Sequence, residues 1–173
     1  MAARGFTLIE LMVVLVIVGV VLGAVVLRMS DRDDRALEQA ARRSQALIQL
    51  ACERAELTGV DIGFSLLDDR WVFGYLGPQG WQMLSDQPSE ELRPRPLGAA
   101  LRAELRREGR LLLADSTDNA PARPQLACLA SGELSPFELR LGPADGSGAA
   151  AFRWQLSGSL DGQLKLEALD ASR

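Results

Sequence analysis

The strongest constraint in this sequence is an apolar run from Leu11 to Leu27, which follows directly on the stretch Arg4-Gly5-Phe6-Thr7-Leu8-Ile9-Glu10. Counted from Phe6, the run is about 22 residues, long enough for a helix that crosses a hydrocarbon core of ~30 Å. Glu10 lies about one turn after Phe6, inside this predicted helix. Placing a carboxylate in lipid costs at least about 2.5 kcal/mol of free energy on insertion scales. We therefore expect Glu10 to be a functional residue with a charged partner.

An ordinary secretory signal peptide fits this N-terminus poorly, because such a peptide has a shorter apolar core followed by small residues for cleavage. The stretch Val25-Val26-Leu27-Arg28-Met29 offers no such site. We therefore predict that the apolar helix is kept as an anchor over residues 6–28. Its flank carries Arg4 and the initiator amine but no acid, which favours a cytoplasmic N-terminus and a domain across the membrane.

The residue pattern over 29–58 predicts a second, amphipathic half of the same helix. Small and apolar residues recur at spacings of three and four, while charged and amide side chains occupy the other faces. Gly59 follows the last periodic residue and is a typical helix end. This half should therefore pack on a soluble domain through one stripe, formed by Leu37, Ala40, Ala41, Ser44, Leu47, Ile48, Ala51, Cys52 and Ala55.

From residue 59 to residue 173 the pattern predicts a β-rich globular domain, because the apolar period changes to two. The first predicted strand, Val60 to Leu66, should bury one face and expose Asp61, Gly63 and Ser65. Further strands are expected at 70–76, 81–84, 126–130, 137–141, 152–156 and 164–168, and the proline-bearing stretch from 85 to 98 predicts a loop. The fold class is α+β: a long N-terminal helix, membrane-spanning in its first half, packed on antiparallel β-sheets.

The segment from Leu101 to Leu105 fits both periods. Its alternation and the turn-like pair Glu108-Gly109 favour a hairpin with residues 110–114 over a short helix.

Composition excludes several kinds of chemistry. The chain has no histidine, which removes the commonest general base and the commonest zinc ligand, and a serine triad cannot form. No phosphate-binding glycine loop or calcium-loop spacing is present, so we predict no enzyme activity, no metal, no cofactor and no small-molecule substrate. Cys52 and Cys128 leave two alternatives open: one disulfide in an oxidising compartment, or two buried free thiols.

The N-terminal stretch resembles the class III signal of type IV pilins and type II secretion pseudopilins. The resemblance implies that residues 1–5 are a leader, that the prepilin peptidase cleaves between Gly5 and Phe6, and that Phe6 is then N-methylated. It also makes Glu10 the fifth residue of the mature chain, whose carboxylate meets the N-terminal amine of a neighbouring subunit during assembly. The physics agrees, because a partner amine lets a carboxylate stay charged in lipid.

A second motif narrows the resemblance. The segment Leu129-Ala-Ser-Gly-Glu-Leu-Ser-Pro-Phe-Glu-Leu-Arg-Leu141 is similar to that of the H-type minor pseudopilins of type II secretion. The resemblance implies a pilin-like structural subunit in the bacterial inner membrane, with its β domain in the periplasm. Its partners would be the major pseudopilin and the minor pseudopilins of the I, J and K types. Within the motif, Gly132 predicts a turn with positive φ and Pro136 the start of a strand.

The alternative is a FimT-like minor pilin of a type IV pilus that binds DNA for uptake. Such a protein needs exposed cations, because phosphate neutralisation supplies most non-specific affinity. Nearby acids at 90, 91, 104 and 108 favour a solvated, balanced face instead, and with a net charge of −4 no nucleic acid is expected as a partner. The candidate cations are Arg93, Arg95, Arg102, Arg106, Arg107 and Arg110.

Overall fold

The computed structural model describes residues 8–78, 80–84, 90–98, 101–112, 123–146 and 151–169, with the side chains of residues 24–33 and 76 outside that description. One helix, α1, covers Leu8–Thr58, and ten strands follow it. The chain divides into two compact units, Met1–Arg35 and Ala36–Arg173. Among the described residues, no helix combines the length and the mean hydropathy of a membrane span.

The part of α1 that belongs to the second unit buries the predicted stripe. Its buried members are mostly small, which lets the sheets approach the helix backbone closely. Leu47 and Cys52 lie at the border of the stripe and are partly buried. The buried members are Leu37, Ala40, Ala41, Ser44, Ile48, Ala51 and Ala55.

The C-terminus of α1 is set by Gly59. This glycine has a φ of +68°, and its N–H donates to the carbonyl of Ala55 at 2.9 Å. A left-handed residue at this position closes the last turn and satisfies a carbonyl that the helix leaves unpaired. The prediction that the helix ends at Gly59 is confirmed.

The strands form two antiparallel sheets. In the first sheet the order is β3-β2-β1-β7, and β4 pairs with one end of β2; in the second the order is β10-β9-β8-β5-β6. The predicted α+β class with antiparallel sheets is confirmed. The strands are β1 (Ile62–Leu67), β2 (Arg70–Gly77), β3 (Gly80–Met83), β4 (Arg95–Pro96), β5 (Leu101–Arg107), β6 (Arg110–Leu111), β7 (Leu126–Cys128), β8 (Phe137–Pro143), β9 (Trp154–Gly158) and β10 (Leu164–Ala168).

Strand β1 differs from its prediction. Gly63 and Ser65, expected on an exposed face, are buried along with Ile62 and Phe64. A Cβ built on Gly63 would come within 2.5 Å of the Trp81 ring, so the second face of β1 is covered as well. The one-sided expectation was wrong because Trp81 of β3 and Pro124, which precedes β7, lie over the face of β1 that carries Gly63.

The predicted hairpin after Leu101 is confirmed over its described part. Strand β5 pairs with β6 in the register Arg107↔Arg110 across Glu108 and Gly109, both with positive φ.

The predicted loop from 85 to 98 contains the short strand β4, which pairs with β2 in the register Arg70↔Pro96. Sequence reasoning missed β4 because proline normally ends pairing; here it lies on a two-residue edge strand.

An aromatic cluster lies at the centre of the domain. Phe64 packs edge-on against Trp71 at 5.9 Å and against Phe137 at 6.3 Å between ring centroids, so the cluster joins the two sheets. The indole N–H of Trp71 donates to the hydroxyl of Ser44 at 2.9 Å, and both side chains are only 1% exposed. A buried indole donor needs such a partner, so this bond specifies where β2 meets α1.

We expect Ser44→Ala to destabilise the domain by about 1–3 kcal/mol, because it leaves the buried Trp71 N–H without an acceptor. The higher helix propensity of alanine offsets only about 0.5 kcal/mol of that loss. Chemical unfolding followed by circular dichroism measures the difference, and Ser157→Ala, at a more exposed hydroxyl, is the control.

In the background of Trp71→Phe, the same Ser44→Ala change should cost little, because no indole donor is left to orphan. Equal losses in both backgrounds would show that the hydrogen bond does not account for the role of Ser44.

Candidate assembly surfaces and the contacts that position them

The first unit presents an apolar surface on all sides of its helix. Every large apolar side chain between Leu8 and Leu22 is exposed, from 46% at Val18 to 75% at Leu8. A helix that is apolar all round is stable only in apolar surroundings, such as lipid or a bundle of other helices. The apolar helix surface from Leu8 to Leu22 is therefore a candidate surface for contact with lipid or with other helices.

Glu10 lies in the first described turn of α1, within that apolar surface, and its side chain is exposed. The predicted cleavage and methylation residues, Gly5 and Phe6, lie outside the described residues. The structure therefore places Glu10 on the apolar helix surface, where a carboxylate is costly in lipid without a charged partner.

In the second unit, a disulfide joins Cys52 of α1 to Cys128 of β7. The two Cα atoms lie 4.9 Å apart, and the cysteines are separated by 76 positions in the chain. Closing a loop of that length restricts the unfolded chain and stabilises the fold by on the order of 4 kcal/mol in the chain-entropy model. The bond ties an edge strand of the first sheet to the helix.

An ion pair holds the segment before β4 against the C-terminal part of α1. The guanidinium of Arg54 donates to the two carboxylate oxygens of Glu90, with Nη1–Oε1 at 2.6 Å and Nη2–Oε2 at 3.4 Å. Glu90 Oε1 also accepts from the Leu92 N–H at 3.1 Å, and Leu92 is fully buried. The hydrogen bond from Arg54 lowers the pKa of Glu90 below its ordinary value, against the opposing effect of burial.

The segment from 129 to 137 connects the two sheets through a tight turn. Gly132 has a φ of +90°, as predicted, and its N–H donates to the carbonyl of Leu129 at 3.0 Å. The Asp61 carboxylate accepts from the Ala130 N–H at 2.8 Å, which fixes the turn to the start of β1. Gly132 is therefore a residue of the fold.

After this turn the chain enters β8 in a crowded position. Phe137 begins the strand directly after Pro136, as predicted, and is buried. A Cβ on Gly158 of β9 would come within 2.4 Å of the Phe137 ring and 2.8 Å of Leu134. The motif that carries the resemblance therefore specifies packing between β8, β9 and the turn, rather than a ligand site.

Two arginines of the middle region are engaged with one neighbouring acid. Arg102 and Arg106 lie on either side of Glu104 in β5, at N–O distances of 2.5 and 3.0 Å. Burial raises the pKa of Glu104, but hydrogen bonds from these two arginines outweigh burial and hold that pKa below its ordinary value. Arg102 also lies over the Phe152 ring, 5.0 Å from its centroid. These two cations serve contacts within the domain, which agrees with the balanced-face interpretation.

No group of three metal-ligating side chains comes together within the part of the chain that the structure describes.

Sequence reasoning missed the two contacts that position the domain on α1, which join Arg54 to Glu90 and Ser44 to Trp71. A signal existed for the second contact, since a serine inside a stripe of apolar residues needs a buried hydrogen-bond partner. The Arg54–Glu90 pair has no local signal, because its two members are 36 positions apart.

A helix with an apolar N-terminal surface and a domain of two antiparallel sheets packed on its C-terminal part define a pilin-like subunit. Residues 1–26 match the prokaryotic N-terminal methylation motif, and residues 40–162 match the family model of type II transport protein GspH. The second match covers more than half of the chain.

Individual relatives give the same result over most of the chain. The chain is 37% identical to the type II secretion system protein H of Pseudomonas aeruginosa, covering 99% of this chain and 98% of that protein. It is 32% identical to the type II secretion system protein H of Klebsiella pneumoniae, covering 84% and 90% of the two chains. The chain therefore belongs to the family of H-type minor pseudopilins, structural subunits of the type II secretion system.

Solved structures share the fold. The minor pseudopilin EpsH of the Vibrio cholerae type 2 secretion system superimposes with a TM-score of 0.62 at 26% identity, covering 77% of this chain and 96% of that one. The type IV minor pilin FimU of Pseudomonas aeruginosa superimposes with a TM-score of 0.50 at 19% identity, covering 84% and 95%. At 19% identity, the likeness to FimU shows the fold alone. The family assignment rests on the GspH model and the protein H relatives, and it favours the pseudopilin over the FimT-like alternative.

The Arg54–Glu90 pair predicts a component of stability that depends on pH. Because the pKa of Glu90 is lower in the folded state, the ionised carboxylate stabilises the fold above the ordinary value of 4.5. That contribution is lost as the pH falls through the lowered value. We expect Glu90→Gln to unfold at a lower temperature than the parent chain at neutral pH.

The difference between Glu90→Gln and the parent chain should shrink as the pH falls below about 4.5, because protonation then removes the same charge from the parent. Thermal unfolding across this pH range measures it. Glu91→Gln, at the exposed neighbouring acid, is the matched control. A difference for Glu90→Gln that stays constant with pH would contradict the argument.

Proposed function

We propose that this chain is made as a precursor and processed between Gly5 and Phe6, with residues 1–5 removed as a leader and Phe6 then N-methylated. The match of residues 1–26 to the methylation motif supports this proposal, because it covers the proposed cleavage site. The stretch Arg4-Gly5-Phe6 precedes an apolar helix, as the peptidase requires in the family that the chain resembles.

The helix over residues 6–28 would then anchor the subunit in the inner membrane, with the N-terminus in the cytoplasm and the β domain in the periplasm. The observation that carries this proposal is the apolar surface on all sides of the helix from Leu8 to Leu22, which only lipid or other helices can cover. The Cys52–Cys128 bond supports the placement of the domain, because disulfides persist in the oxidising periplasm.

In the assembled pseudopilus the apolar helix would leave lipid and pack among the helices of the major pseudopilin and the I-, J- and K-type minor pseudopilins. Its role would be that of a structural subunit without catalytic activity, which helps to drive folded proteins across the outer membrane. Both environments are apolar, so transfer from membrane to fibre exposes little apolar surface to water.

Glu10 would direct that assembly. Its carboxylate lies on the apolar surface of the helix, where an ion pair with the N-terminal amine of a neighbouring subunit lets it remain charged. The amine exists only after cleavage at Gly5, so processing and assembly would be linked through one contact.

We expect Gly5→Val to keep its five-residue leader, because a branched side chain at the scissile bond hinders close approach of the peptidase to the backbone. Mass spectrometry of the purified chain measures the N-terminus. Ala3→Val adds similar bulk two residues earlier and should be processed normally. An N-methylated Phe6 terminus on the Gly5→Val chain would refute the proposed cleavage site.

We expect Glu10→Ala to insert into the membrane and to be cleaved normally, because the change only removes a charge from an apolar helix. Its cross-linking to the major pseudopilin in membranes should fall, together with secretion, because the partner amine is left uncompensated. Glu38→Ala, at an acid on the exposed face of α1 in the second unit, is the control.

Glu10→Gln separates charge from hydrogen bonding. It should behave like Glu10→Ala if the charge is required, and like the parent chain if a hydrogen bond suffices. Undiminished cross-linking and secretion with alanine at position 10 would mean that Glu10 does not serve assembly.

A further inference from the structure

The second sheet ends in a strand that has no neighbour on its outer side among the described residues. Strand β10 pairs with β9 alone, in the register Lys165↔Ser157 and Leu166↔Leu156. A free edge of this kind presents unpaired N–H and C=O groups and is a template for another strand.

The hydrogen bonds that flank the β9–β10 ladder show which backbone groups point outward. The Ser159 N–H donates to the carbonyl of Gln163 at 3.0 Å, and the Leu169 N–H donates to the carbonyl of Arg153 at 2.7 Å. Bonded and non-bonded pairs alternate along an antiparallel ladder, so the odd-numbered residues of β10 bond to β9. The N–H and C=O groups of Leu164, Leu166 and Ala168 therefore point to the open edge.

The exposed side chains of this edge strand carry opposite charges on either side of Leu166. Lys165 and Glu167 form an ion pair within the strand at 2.7 Å, and their side chains remain 72% and 46% exposed. Leu164 and Leu166 alternate with them and pack partly against the core. An edge lysine usually opposes strand addition, because most incoming strands offer it no counter-charge.

We propose that β10 is a self-complementary edge that pairs antiparallel with β10 of a second copy of this chain, centred on Leu166. In this register Lys165 lies opposite Glu167 of the second copy, and the reverse pair forms symmetrically. Leu166 faces itself, and Leu164 lies opposite Ala168 of the second copy. All the outward N–H and C=O groups then meet partners, as an isologous two-fold contact requires.

Charge selects this register over its neighbours. A pairing centred on Lys165 also brings outward backbone groups together, but it places Lys165 opposite Lys165. A pairing centred on Glu167 places two glutamates opposite each other. Opposite charges directly across from one another stabilise an antiparallel pair and like charges destabilise it, so only the register centred on Leu166 is favourable in charge.

Lys165 is the only lysine of the chain, which makes the contact directly testable. The full chain is solubilised in detergent as a mixture of unlabelled and nitrogen-15-labelled copies, and a carbodiimide then couples amines to carboxylates at contact distance. The proposal predicts a cross-link between the Lys165 and Glu167 peptides with one peptide of each isotopic form. Cross-links within one copy carry a single isotope and are thereby separated.

Charge exchange tests the register. Lys165→Glu and Glu167→Lys should each raise the dissociation constant of the dimer roughly tenfold, because each places like charges opposite each other at two symmetric positions. The combined exchange should restore the parent value. Arg110→Glu makes the same change in charge at β6, the opposite edge of this sheet, and should leave the dimer unchanged. Sedimentation of the detergent-solubilised chains measures all four.

Ala168→Pro provides a second test that does not depend on charge. It removes an outward N–H and no bond to β9, so it should weaken the dimer while thermal unfolding of the domain stays close to the parent value. Absence of mixed-isotope cross-links, or single exchanges that leave association unchanged, would overturn the proposal. So would a combined exchange that fails to restore association, or a cross-link in membranes that joins Lys165 to a different protein.

Discussion

The packing of α1 on the first sheet is the constraint on which the rest of the domain depends. The buried stripe of the helix consists largely of alanines. A polar group buried in that contact must find a hydrogen-bond partner there. The Ser44 hydroxyl and the Trp71 indole N–H meet this requirement, because they form one buried hydrogen bond with each other. Trp71 also packs against Phe64, so the position of β2 on the helix determines where β1 lies. Phe64 in turn contacts Phe137 and thereby joins the first sheet to the second.

Two further connections secure the same contact at different places along the helix. The Cys52–Cys128 bond holds the edge strand β7, and the Arg54–Glu90 pair holds the segment that leads into β4. They act through different physics. The disulfide restricts the unfolded chain, whereas the ion pair stabilises the folded state only while Glu90 is ionised.

The two units satisfy opposite requirements on their apolar side chains. The second unit buries its large apolar residues between helix and sheets, and the first exposes them on every side of its helix from Leu8 to Leu22. Such a helix requires apolar surroundings from outside the chain, and the proposed membrane anchor and the proposed fibre would both provide them. In the second unit, the contact proposed for the edge strand β10 is polar and directional, because backbone groups and two opposite charges determine which strand can pair with it.

The sequence by itself determined the features that depend on neighbours within a few residues. The period of three to four over 37–55, the period of two over 137–141 and the positive φ of Gly132 all follow from side-chain spacing and backbone sterics, and each prediction is confirmed. Tertiary structure decided the features that join distant positions: the sheet order, the covered second face of β1, the bond between Cys52 and Cys128, and the pairing of Arg54 with Glu90. Spacing along the chain specifies which face of an element is apolar, but it does not specify which other element covers that face. That choice depends on packing across the whole domain, where small residues such as Gly63 admit a particular neighbour such as Trp81.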